Sequence, residues 1–249
     1  IAGVDLEKRR RGFQRAQQLY KQWRQEGKLQ NPREDILLFE TLHDGIIHVN
    51  STRIIKRNPV DAWDRTQAEI EAREQAFELF RFLKENADGF ENSRLLSTAM
   101  EIGVRESRMI EGMYTLTADD LKACIRFKDA IALGNYDIDI HNPAGTGTSH
   151  YLFPDGQYYT VPYRCLVPSN TQNLLVTGRC ISVTHEAQAS IRIMPIVCCL
   201  GQAAGVAAAV AVKDKADVRQ VNVPKVQALL KNTGAVTENP TSDCSFTEL

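Results

Sequence analysis

The chain has almost no excess of charge. Its 249 residues carry 30 Lys and Arg against 31 Asp and Glu, a formal net charge of -1. Nucleic acid is held largely through counterion release, which needs a basic excess or a basic face. No nucleic-acid partner is therefore expected. Cysteine is scarce as well. Six in this length are too few for a disulfide scaffold. They form no CxxC pair and no Cys/His spacing suited to zinc, so no metal is expected. No run of about 18 apolar residues is counted, so no membrane span is expected. No charged-then-apolar leader opens the chain. Its start at Ile1 rather than Met reads as a piece of a longer protein. A cytoplasmic location is favoured. Hydrophobic residues at 43% and charged residues at 24% are ordinary globular values.

The remaining pattern is helical with short strand-like runs. Residues 5–27 read as a charged helix. Their basic run, Lys8 to Arg11, reads as a solvated face rather than a nucleic-acid patch. Asn31-Pro32 is expected to end this helix. Ile36–Phe39 and Gly45–Val49 flank His43-Asp44-Gly45, a turn sequence, and predict a hairpin. Asp61 caps a helix to about Asn86. Its Trp63, Ile70, Phe77, Phe80 and Leu83 are expected to form the packed face. Asp88-Gly89 stops it. Thr117 with Asp119 and Asp120 opens a short helix to about Phe127. Tyr136–Ile140 and Gln157–Arg164 read as strands, with Pro162 at a strand end. Asn173–Thr177 reads as a short buried strand closing on Gly178. Pro195 opens a small-residue helix to residue 212, and Val223-Pro224 opens another to about Lys231. Ala144-Gly-Thr-Gly147 reads as a loop and the tail from Glu238 as a polar end.

The most informative stretch runs from Val161 to Gly205. It contains Val161-Pro-Tyr-Arg-Cys-Leu-Val-Pro168, Asn173-Leu-Leu-Val-Thr-Gly-Arg-Cys-Ile-Ser182, Ser190-Ile-Arg-Ile-Met-Pro195 and Gly201-Gln-Ala-Ala-Gly205. Upstream lie Gly103-Val-Arg-Glu-Ser-Arg108, Gly112-Met-Tyr-Thr-Leu-Thr117 and Asp137-Ile-Asp-Ile-His141. A buried strand, a Gly, a polar connection and a thin helix read, from the residues alone, as a packing device, and they also suit close approach by a flat ligand. Taken in order, these segments resemble the C-terminal part of FAD-dependent oxidoreductases of the glutathione-reductase-like flavoprotein superfamily, in a bacterial branch. The resemblance is tight from about residue 100 to residue 234 and looser before it.

The resemblance implies an α+β fold of helices plus a mixed sheet. Residues 1–135 would form a helical, substrate-side region, 136–234 the closing part of an FAD/NAD(P)-binding α/β domain, and 235–249 a polar tail. It implies an FAD cofactor and hydride transfer between flavin and a small-molecule substrate. The cofactor would be touched by Gly178, Arg179, Cys180, Met194, Pro195, Gly201, Gln202 and Ala203. Helix-start amides near Met194 and Pro195 would face the pyrimidine edge of the isoalloxazine. Relatives often carry an acid directly after the Gly, and here Arg179 stands there. His185 and Arg192 would face the substrate as acid or base and as anion clamp. Arg105, Glu106 and Arg108, like Tyr163 and Arg164, read equally as site groups or as ordinary ion pairs. Cys198-Cys199 is expected to be buried and without redox use. One part is missing: no GxGxxG occurs anywhere in the chain. The dinucleotide-binding N-terminal half would then lie elsewhere, and this chain alone would bind FAD weakly or not at all. The alternative is a non-catalytic fragment that folds or associates without flavin.

Overall fold

The computed structural model describes residues 1–141 and 148–237. The Ala144–Gly147 loop and the tail from Glu238 lie outside the described residues. The chain is α+β, with six α-helices and short antiparallel strand pairs among the described residues. It divides into two compact units, Ile1–Val104 and the residues from Arg105 on. The division falls about thirty residues upstream of the expected 135/136 boundary, so residues 105–135 pack with the C-terminal unit.

The first unit is built on two long helices. Helix α1 spans Leu6–Gln25, and the Asp5 side chain accepts the Lys8 amide as its cap. It stops well before Pro32, and Gly27 follows in the left-handed region. Strands β1, Leu38–Glu40, and β2, Ile47–Val49, form the expected hairpin, with Gly45 at positive φ in its turn. Helix α2, Ala62–Asn86, is capped by Asp61 as read from the sequence. Val4, Ala16, Tyr20, Ile36, Ile47, Leu79, Phe82, Leu83 and Phe90 form the core. Tyr20 and Trp23 meet Phe82 edge-on at 5.6 and 5.4 Å. Gly89 is required where the chain leaves α2. Its φ is +86°, and a Cβ would stand 2.4 Å from the Asp5 carbonyl.

The expected packed face of α2 is corrected. Trp63, Ile70 and Phe77 recur at spacing seven and share a stripe, but that stripe faces solvent, with Trp63 75% exposed. The buried face carries Ala68, Gln75, Leu79, Phe82 and Leu83. Of the residues named from the sequence, only Leu83 is in the core. The basic run on α1 is largely paired: Arg9 and Arg10 meet Glu40, and Arg11 meets Glu7.

The second unit surrounds one large core. Helix α3, Ala118–Lys122, is closed by a capping box in which Thr117 accepts the Asp120 amide and Asp120 accepts the Thr117 amide. It ends early because Cys124 turns to φ 51°. Strand β3, Ala130–Gly134, pairs antiparallel with β6, Tyr159–Pro162. Strand β4, Ile138–His141, pairs antiparallel with β5, Thr148–Tyr151. In place of a mixed sheet there are two-stranded antiparallel pairs, and parallel pairing among the described residues is one isolated bridge, Leu116 to Val183. Helix α4, His185–Ile191, stands where the sequence suggested a polar connection. Helices α5, Met194–Asp214, and α6, Val223–Asn232, match their expected spans closely. Asn173–Thr177 is not a strand. Leu174 is exposed, and within the run Val176 donates a backbone bond to the Leu166 carbonyl at 2.8 Å.

Helix α5 packs on β3 and α6. Ile196, Leu200, Ala203, Ala204, Ala207, Val210 and Ala211 form its buried face. The other face carries Met194, Cys198, Gly201, Gly205, Ala208 and Val212 at helical spacing, with Met194 82% and Val212 79% exposed. The expectation of no spanning run is corrected too. This helix is long and apolar enough to cross a membrane by length and composition. Its one polar side chain between Met194 and Val212 is Gln202. Cys198 is exposed rather than buried, and Cys199 is half-buried.

Exchange of the α2 faces gives a direct check. Phe82→Ala should destabilise the first unit by about 3–5 kcal/mol, the cost of a large core truncation. Trp63→Ala should move stability by no more than about 0.5 kcal/mol. Denaturant unfolding of the two variants distinguishes the faces, and the reverse order would restore the sequence-based assignment.

Candidate functional site

The site is organised by α4. Thr184 caps this helix by accepting the Ala187 amide at 3.4 Å. The preceding chain from Ile110 to Leu116 runs alongside Val167–Pro168 and Cys180–Thr184. Ile110 donates to the Cys180 carbonyl, Met113 to Val167, Leu116 to Ser182, and Thr184 to Leu116. These bonds bring Arg105 and Glu106 against the start of α4. Gln188 completes the junction from the helix. Its side chain is fully buried, and its Nε2 donates to the Arg105 carbonyl at 2.9 Å and the Arg179 carbonyl at 3.4 Å. Gln188 Oε1 is buried and meets no hydrogen-bond donor among the described residues.

His185 stands at the first position of α4, with its ring 43% exposed. Its Nδ1 lies 2.6 Å from Glu106 Oε2. Arg192 lies at the other end of the same helix, as its C-cap. Its Nη2 donates to the Asp139 carbonyl at 3.1 Å, and it stands 3.8 Å from Asp139 Oδ2. The side chain is 13% exposed. Burial pulls the guanidinium below its ordinary value, and nearby Asp139, Tyr136 and Glu106 oppose that shift. The helix is further tied by Ser190, which donates to the Tyr136 carbonyl and meets the Tyr159 hydroxyl at 2.6 Å. Burial raises the Tyr159 phenol well above its ordinary value.

The positions read from the sequence divide into groups. Gly178, Arg179 and Cys180 follow one another directly before this junction. Gly178 has φ +93°, and a Cβ there would meet no atom within 4 Å, so the main chain is open to a flat ligand. Met194 and Pro195 open α5, whose N-cap Ile193 supplies no side-chain bond. Pro195 has no N–H, so the first-turn donors are the amides of Met194 and Ile196 rather than that of Pro195. Gly201 lies on the exposed face of α5, and a Cβ there would also meet nothing within 4 Å. Gln202 and Ala203 do not join these. Gln202 Nε2 donates to Thr233 Oγ1 at 3.0 Å, and Ala203 is fully buried in the core. Tyr163 and Arg164 are structural: the Tyr163 hydroxyl donates to the Val218 carbonyl at 2.8 Å, and Arg164 Nε to Asp129 at 3.0 Å.

Residues 3–230 match the family model described as FAD dependent oxidoreductase. The chain belongs to the FAD dependent oxidoreductase family. No curated protein and no solved structure matched it. Membership in an FAD dependent family makes FAD the cofactor to test against the residues present. The donor set suits the ring end of a flavin: an open backbone at Gly178 and an uncapped, positively polarised helix start at Met194. For the pyrophosphate, the sequence holds no GxGxxG and the described residues offer no Gly-rich strand–turn–helix.

Sequence reasoning placed Glu106 in a charge cluster but did not pair it with His185, and it passed over Gln188 and Asp139. Thr184 before His-Glu-Ala-Gln was the available signal, since a capping Thr ahead of good helix formers marks a helix start. A helix there places His185 and Gln188 three residues apart on one side.

Arg192 is expected to act as an anchor of β4. Arg192→Ala should lower stability by about 2 kcal/mol, the scale of a charge-assisted hydrogen bond lost from a largely buried site. Equilibrium unfolding measures this. Unchanged stability would instead free Arg192 for the substrate-clamping role.

Proposed function

We propose that this chain is the ring-side and substrate-side part of a flavoenzyme that transfers hydride between a small substrate and FAD. The reading is carried by the uncovered face of α5. A helix that buries Leu200, Ala203 and Ala207 on one side leaves an equally apolar, unusually flat side at Gly201, Gly205 and Ala208. In a family defined by FAD, a segment carrying the missing Gly-rich turn would cover that side and hold the pyrophosphate. The run Asn173–Thr177 supports the same reading. It has the apolar content of a short strand but is left half-exposed, and a further strand beside it would complete its pairing. The covering segment would come from outside these 249 residues, on the same chain or on a second one.

When bound, FAD would supply the two-electron acceptor or donor. The residues of this chain would do the rest. Backbone at Gly178–Cys180 would lie along the ring and ribityl end. The Met194 and Ile196 amides would donate to the electron-rich pyrimidine edge and favour negative charge there. His185, half-exposed at the start of α4, would take up or release the substrate proton at Nε2. Arg192, turned inward onto Asp139, would hold α4 to β4 rather than touch substrate.

Flavin content tests the reading. The purified 249-residue chain should carry no stoichiometric FAD. A preparation that also carries the dinucleotide-binding segment should be yellow and hold about one FAD per chain. A chain that binds FAD stoichiometrically alone would remove the need for a second segment. Failure of both preparations to bind FAD would favour a fragment that folds without flavin.

A further inference from the structure

The contact between His185 and Glu106 goes further than the assignment of His185 alone. An ionised carboxylate can only accept hydrogen bonds. With Nδ1 2.6 Å from Glu106 Oε2, a carboxylate there would take its hydrogen bond from the imidazole, with Nδ1 as the donor. In the neutral ring that leaves Nε2 without a proton, as a lone-pair base. The ring is 43% exposed while the Glu106 side chain is 26% exposed, so the open part of the pair is the imidazole. We propose that Glu106 is the positioning residue of a carboxylate–imidazole dyad, fixing His185 as its Nδ1–H tautomer with Nε2 presented as the proton-accepting atom.

The backbone arrangement makes this a built pair rather than a chance surface contact. Gln188 sits three residues beyond His185 on α4 and clamps the Arg105 carbonyl, one residue before Glu106. The helix therefore grips the segment twice, once through a buried amide and once through the imidazole. The buried grip does not depend on the Glu106 side chain. Downstream, the Ile110 amide donates to the Cys180 carbonyl and fixes the other side of the segment. Glu106 is thus flanked by a Gln188 side-chain bond to the Arg105 carbonyl on one side and, four residues on, by the Ile110 main-chain bond on the other. An ordinary exposed ion pair contributes little and pays side-chain entropy for a fixed geometry. Here Gln188 and Ile110 already restrain the segment that carries Glu106.

The inference rests on the reading of His185 as the acid–base group, and its test needs no flavin. In the isolated 249-residue chain, nitrogen chemical shifts of His185 should report the Nδ1–H tautomer. In Glu106→Ala they should move to the Nε2–H form that an unassisted imidazole prefers. In Glu106→Gln the amide oxygen can still accept, so the Nδ1–H tautomer should be retained. Diethyl pyrocarbonate provides the second readout, mapped by mass spectrometry with exposed His43 and His48 as internal references. His185 should be modified at Nε2 in the wild type and more slowly in Glu106→Ala, with Glu106→Gln restoring most of the rate, because the carboxylate keeps the Nε2 lone pair free. An unchanged unfolding midpoint in Glu106→Gln verifies the fold. The proposal is overturned if wild-type His185 carries its proton on Nε2, or if Glu106→Ala leaves both tautomer and modification rate unchanged. Failure of the flavin reading would show separately, as absence of bound FAD with the tautomer result intact.

Discussion

The close seating of α5 on β3 is the contact on which the C-terminal unit depends. Ala203, Ala204 and Ala207 lie on the buried face of α5, which packs on β3 and α6, and side chains this small permit a closer approach than Leu or Val would allow. Larger residues, Ile196, Leu200 and Val210, close the same face along the helix. The same economy of side chain extends to the opposite face, where packing within the unit does not require it. Gly201 and Gly205 weaken a helix by about 1 kcal/mol each relative to Ala. Their presence on an exposed face has no return in the stability of this unit. A second approach by backbone or a flat ring supplies the reason for them.

The junction around α4 follows from the same frame. Ser190 ties the helix to Tyr136, just before β4, and to Tyr159 on β6, and Arg192 bonds the Asp139 main chain of β4 from its C-terminal end. Thr184 and Gln188 then set its N-terminal side against Arg179 and the Arg105–Glu106 segment. His185 and the exposed Glu186 are the residues of this helix turned toward solvent, and His185 is held by Glu106. Rigid anchoring behind an exposed imidazole is the arrangement that proton transfer needs, because a catalytic group must hold its geometry before substrate arrives.

Local signals in the sequence were legible where they act locally. Asp61 and Thr117 as caps, Gly45 in the hairpin turn, and Pro195 and Pro224 in the first turns of α5 and α6 all fix structure through their nearest neighbours. What depends on tertiary context was not legible. Trp63, Ile70 and Phe77 form a good helical stripe, yet Tyr20 and Trp23 pack against the adjacent stripe at Phe82. Strand β3 was missed because Ala-Ile-Ala-Leu-Gly lacks alternation, being buried along most of its length. Asn173–Thr177 reads as a strand and is not one, because a strand requires a partner edge as well as a pattern. At the site, the position of His185 was legible, but its partner lies 79 residues away in sequence and no spacing rule joins them.

Covering of α5 is the central physical claim, and Cys198 reports on it directly. Its thiol lies on the exposed face between Met194 and Gly201. The measurement is the rate of Cys198 alkylation in the 249-residue chain and in the flavin-loaded protein that also carries a dinucleotide-binding segment, mapped by peptide mass spectrometry. Cys198 is expected to react readily in the first and to be protected at least about tenfold in the second, since a packed helix face excludes reagent and water alike. Equal reactivity in both preparations, with FAD bound in the second, would contradict the assignment of this face to the flavin-binding half.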